Sequence, residues 1–121
     1  VNPGPDAPHD SPSAAQLVEA VREFLERDVM GATEGRVQFH ARVAVNVLAM
    51  VERQLTVGPQ QAADHAAGLA RLGYADEAAL AAAIRDGSIG DRQLQAVAAF
   101  VRQTVRAKLE VANPRYLEGA S

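Results

Sequence analysis

The chain has 121 residues, 48% of them hydrophobic, with no cysteine and a net charge of −3. Without cysteine there can be no disulfide, thiolate nucleophile or cysteine-held metal, and the acidic balance argues against a phosphate-backbone binder, which carries a basic face. No apolar run approaches the ~20 residues that span a membrane and no signal-peptide pattern opens the chain, so a soluble cytoplasmic protein is expected.

Much of the hydrophobic content is alanine, with three phenylalanines, two tyrosines and no tryptophan. That favours close packing of helices over a large ligand cavity. The opening VNPGPDAPHDSP holds four prolines and almost nothing to bury, and reads as a disordered tail over residues 1–12. Ser13 followed by Gln16 is a capping-box pattern, after which Leu17, Val18, Val21, Phe24, Leu25 and Val29 recur at helical spacing. The first helix is therefore expected from Ala14 to Val29. Gly31 and Gly35 bracket a break.

The central stretch runs from Gly35 to Leu55. Between Phe39 and Val51 only His40, Arg42 and Asn46 are polar, so this helix is apolar around most of its circumference and should be enclosed by the rest of the chain. Projected at ~100° per residue, Gln38, Arg42 and Asn46 form one polar line to which Arg53 returns. Gly58-Pro59 predicts a stop and a new helix start, giving a weaker helix from Pro59 to Leu72 that Gly68 interrupts and Gly73 closes. Asp76 and Gly87 are cap signals around a short helix through Leu80 and Ile84. Asp91 reads as the cap of the last long helix, whose stripe of Leu94, Val97, Ala98, Val101, Val105 and Leu109 should face the core, with Phe100 and Thr104 at its margin. Asn113-Pro114 ends it. Arg115-Tyr116-Leu117 then folds back or docks on a partner. The class is all-α, a compact bundle of four to five helices around the central apolar helix, with a single domain over 13–117 and a short tail over 118–121.

Candidate chemistry is sparse. His9, His40 and His65 lack a metal-type companion at helical spacing, and Asp64-His65, adjacent on a helix, cannot face each other as a dyad. No GxxxxGK[ST], GxGxxG or GxSxG occurs. The four serines are accounted for by tail, cap, turn and terminus. Between Gly58 and Gly87 two arginines face four acidic residues, too little positive charge for a recognition helix. No catalytic, cofactor or metal residue is assigned. Arg42 and Asn46, with Gln38, admit two readings: satisfaction by a helix end or neighbouring acid, or a border of a binding surface. Arg115 and Tyr116 divide the same way.

Three segments, FHARVAVNVLAMVERQL followed by GP, then AAIRDG, then AKLEVANPRYL, resemble a family of small helical bacterial proteins of unknown function, over most of Ala14 to Leu117. These resemble the accessory subunit of aminoglycoside-phosphotransferase-like kinases in levulinate and related 4-hydroxyacid catabolism. The resemblance implies that a large subunit phosphorylates a hydroxyacyl-CoA and that the small protein, itself without catalytic residues, supports the kinase. The matching positions are Phe39, His40, Arg42, Asn46 and Arg53 in the central helix and Asn113 to Leu117 at the end. Of these, Phe39, His40, Arg42, Asn46, Arg53, Arg115, Tyr116 and Leu117 are the candidate interface. The other expectation is a self-assembling homodimer, and a third is a small enzyme using His40 and Arg42 on a CoA-linked substrate.

Overall fold

The computed structural model describes Pro8 and residues 11–119, and every regular element among the described residues is a helix. The proline-rich opening expected to be a disordered tail lies almost wholly outside the described residues, as do residues 120–121. The chain divides into two compact units, Val1–Val57 and Gly58–Ser121.

In the first unit, helix α1 (Ala14–Phe24) begins with the capping box that Ser13 and Gln16 predict. The Gln16 N–H donates to Ser13 Oγ at 3.2 Å and the Ser13 N–H to Gln16 Oε1 at 2.8 Å, satisfying two donors that the first turn leaves open. The helix does not stop at Val29. It passes through one π-helical turn, Leu25–Val29, into α2 (Met30–Ala32), so the break falls at Thr33 and Glu34. Glycine terminates helices through positive φ, and Gly31 does not adopt it, whereas Gly35 does, at 65°.

Helix α3 (Gly35–Leu72) contributes to both units. In the first it runs back along α1, as shown by the Arg22 guanidinium, which holds the Glu52 carboxylate through Nε and, at 3.3 Å, through Nη2. Only Ala41 of this unit is buried outright among the described residues; Val18, Leu25 and Val29 before the turn, and Val45 and Leu48 after it, are half-buried. The enclosure expected for the central helix is not found. Val37, Phe39 and Val47 are 56%, 59% and 51% exposed. The physical reason is arithmetic of partners: a helix apolar all round needs neighbours on several sides, and the first unit supplies one.

The predicted stop at Gly58-Pro59 is also absent. Proline removes an N–H and crowds the preceding turn, a cost of ~3 kcal/mol inside a helix. What offsets it follows the proline: alanine and glutamine there are good helix formers, and Gln61 and His65 are tied to the last long helix. That helix, α5 (Asp91–Ala112), receives the Gln61 amide on its Ala107 carbonyl at 3.0 Å. Gly68 does not interrupt α3. A Cβ there would lie 2.7 Å from Cε2 of Phe100, so the missing side chain lets the ring seat against the helix backbone.

Helix α4 (Glu77–Asp86) has the expected caps: Asp76 Oδ1 accepts from the Ala79 N–H at 2.8 Å, and Gly87 ends it at φ 75°. The Ser88 hydroxyl and N–H both donate to the Asp86 carboxylate, which lowers its pKa from the ordinary aspartate value. At α5 the cap is Gly90, not Asp91, which is the first helical residue and acts only through the helix dipole. The core of this unit is Leu69, Leu80, Val97 and Phe100, with Leu72, Tyr74 and Ile89 packed on it. The α5 stripe is thus rotated from the expected one: Phe100, expected at the margin, is buried, while Leu94, Val101 and Val105 are exposed. Gly68 explains the rotation, because a flat ring against a bare helix face permits a closer approach than the branched stripe would. Helix α6 (Pro114–Glu118) starts on Pro114 after the break at Asn113.

Candidate interaction surface

In the first unit the candidate polar residues lie on different sides of α3. His40 is exposed, its ring edge-on to Phe39 with centroids 5.5 Å apart, and Arg36 Nε reaches its Nε2 at 3.4 Å. Gln38 resolves one of the two readings of the polar line. Its amide donates to the Met30 and Thr33 carbonyls at 3.1 and 3.0 Å, closing the carbonyl end of α2. Arg42 and Asn46 do not follow it inward. Both are exposed, and neither side chain has a partner among the described residues. Arg53, about two turns further on, is half-buried.

The helical projection separates two sides of α3 in this unit. One, carrying Ala41, Val45, Leu48 and Glu52, faces α1. About 150° away lie Phe39, Arg42, Val43, Asn46 and Met50, all exposed. The candidate residues Phe39, Arg42 and Asn46 therefore do share one surface, but Val43 (44% exposed) and Met50 (37%) belong to it too. Periodicity alone assigns those two to a core. Their exposure depends on how few neighbours the helix has. His40 stands at the edge of this stripe, away from Arg42, so the two do not make the pair that a CoA-linked enzyme reading requires.

Arg115, Tyr116 and Leu117 belong to α6 in the other unit. Tyr116 is 65% exposed and Leu117 half-buried, so the segment anchors through the leucine and offers the tyrosine to solvent.

The second unit also holds a groove of about 340 Å3 between α3 and α5, with His65, Phe100 and Thr104 in its wall. His65 Nδ1 lies 3.5 Å from Thr104 Oγ1, its Nε2 3.6 Å from Glu77 Oε2, and its ring 5.0 Å from that of Phe100. Arg71 and Arg106 are matched there by Asp64 and Glu110, which leaves no net charge to select an anion or a cation. The contacts of His65 are those of a packing residue joining α3, α4 and α5. Among the described residues no group of three His, Asp or Glu could hold a metal ion, and no helix is long and apolar enough to cross a membrane.

A family model described as a domain of unknown function, DUF6285, matches residues 31–116. The chain belongs to this family. The DUF6285 region begins just before the α2–α3 turn and ends within α6, so it contains Phe39, His40, Arg42, Asn46, Arg53, Arg115 and Tyr116 and leaves out α1 and Leu117. No curated protein and no solved structure matches the chain. DUF6285 carries no activity or partner in its description.

Proposed function

We propose that this chain is a non-catalytic accessory subunit that binds and stabilises or activates an aminoglycoside-phosphotransferase-like kinase acting on a hydroxyacyl-CoA, and that it docks through the exposed side of α3. The observation that supports docking is the stripe of Phe39, Val43 and Met50 in water beside Arg42 and Asn46, whose side chains have no partner among the described residues. Aromatic, methionine and arginine side chains are enriched at interface centres, and an apolar stripe that a domain leaves uncovered marks an interaction surface. The kinase, and the hydroxyacyl-CoA as its substrate, come from the resemblance of the three segments quoted above. A cytoplasmic location goes with that substrate class.

The test is kinase turnover on a hydroxyacyl-CoA with and without the chain, repeated with Phe39→Asp and Arg42→Glu. Both positions are exposed, so the variants should keep their helical spectrum. The reading expects activation by the wild type and a loss of at least about tenfold in the chain's apparent affinity for each variant, the scale of one interface anchor. Equal turnover with and without the wild-type chain would overturn it.

A further inference from the structure

The charges on the α3 stripe bear on what covers it. With Phe39 as the centre line and ~100° per residue, Asn46 and Met50 fall within about 20° of that line and Val43 within about 40°, while Arg36 and Arg42 stand about 60° to either side. From Phe39 to Met50 the stripe is three turns long, about 16 Å. Apolar side chains hold its middle, and an exposed arginine stands on each margin.

Neither guanidinium is neutralised. Arg42 has no partner among the described residues, and Arg36 reaches the His40 ring at 3.4 Å but no carboxylate among them. From Gly35 to Val57 the helix has one acid, Glu52. That carboxylate points about 140° from the centre line and is held by Arg22 of α1. Both margins of the stripe therefore present positive charge that their own helix does not answer.

Charge separates the possible occupants. A second copy of the chain meeting this stripe with its own would set arginine against arginine across a two-fold axis, with no acid on either surface to receive them. An anionic lipid surface is wide enough to meet the whole hairpin of α1 and α3, where Ala14 to Val57 holds six acidic residues against five arginines. Such a balance offers no attraction to lipid headgroups. A single helix laid along α3 touches the stripe alone, and carboxylates beside its own apolar row would meet both arginines.

We infer that the partner segment docking on this stripe is an acidic amphipathic helix of about three turns, with carboxylates on both margins of its apolar row paired to Arg36 and Arg42. The inference deepens the docking reading proposed above and rests on it, while the chemistry it names is independent of which protein carries the helix.

Two synthetic peptides test it on the full-length chain by fluorescence anisotropy. Each is an amphipathic helix of about fourteen residues, close to four turns, with a row of leucine and methionine; one carries glutamate on both margins and the other lysine. The glutamate peptide should bind at least about tenfold more tightly than the lysine peptide, and should weaken as NaCl is raised from ~0.05 to ~0.5 M. The double variant Arg36→Glu/Arg42→Glu, altered only at exposed positions, should keep its helical spectrum and reverse the preference. Phosphatidylserine vesicles should not sediment the chain. Equal binding of the two peptides, binding of neither, a preference that the double variant leaves in place, or sedimentation with the vesicles would each overturn the inference. A kinase complex that forms and is active but is indifferent to the double variant would sink this inference and leave the kinase reading standing. A chain that selects the glutamate peptide yet leaves kinase turnover unchanged would do the reverse.

Discussion

Two glycines in helices do opposite things. At Gly68 a methyl group would fall 2.7 and 2.8 Å from two atoms of the Phe100 ring, whereas at Gly31 nothing lies within 4 Å. Alanine gains ~1 kcal/mol over glycine in a helix interior, and overpacking a close contact costs ~1–3 kcal/mol. At Gly68 the second effect prevails, because the Phe100 ring is already seated in the core against that stretch of backbone. Gly31→Ala should therefore raise stability by roughly 0.5–1 kcal/mol and Gly68→Ala lower it by about 1–2 kcal/mol once the helix gain is subtracted, as read by denaturant midpoints. Equal shifts of the same sign would refute the packing account of Gly68. Residues whose role is local were legible from sequence: Ser13, Gln16, Asp76 and Gly87 act within four residues of themselves, and each does what its spacing predicts. Arg42 and Asn46 were not. An arginine on an apolar helix is embedded or exposed according to elements far along the chain, which spacing does not reveal.

Elements were legible in number and class but not in extent or phase. Helix α3 is 38 residues long, where two helices separated by Gly58-Pro59 are predicted, because a breaking signal of ~3 kcal/mol is smaller than the packing and propensity that follow it. That gives a prediction at this scale. Pro59→Ala restores an N–H and relieves the ring's clash with the preceding turn, so it should raise the thermal midpoint by several degrees without lowering helix content. A fall in stability would mean that the proline's rigidity serves the fold there. In α5 the hydrophobic residues form two adjoining stripes, Val97–Phe100–Thr104 and Leu94–Val101–Val105. Periodicity identifies a helix with an apolar side but not which stripe meets the core. Gly68 on the facing helix makes that choice, and a lone glycine gives no warning of it.

Across the whole molecule the notable quantity is how much apolar surface is in contact with water. Among the described residues the buried core is six hydrophobic residues, two of them alanine, while fifteen large hydrophobic side chains are exposed, on both units. A soluble monomer rarely leaves contiguous apolar patches of this kind uncovered. That balance is what makes an interaction subunit the preferred reading over a small enzyme. The sequence held the composition but not its disposition: an apolar helix reads as a core helix until the neighbours that would cover it are counted. One part of that surface is the α3 stripe that sets Arg42 and Asn46 beside the apolar side chains of Phe39, Val43 and Met50.

The central claim, that the chain works by docking through α3, is tested most directly by co-expressing it with the aminoglycoside-phosphotransferase-like kinase, capturing the kinase and sizing what elutes, with Phe39→Asp in parallel. The account predicts that the wild-type chain elutes with the kinase in a fixed ratio and that Phe39→Asp is lost from the complex while remaining folded. A wild-type chain that elutes apart from the kinase, or a Phe39→Asp chain that stays bound in the same ratio, would contradict it.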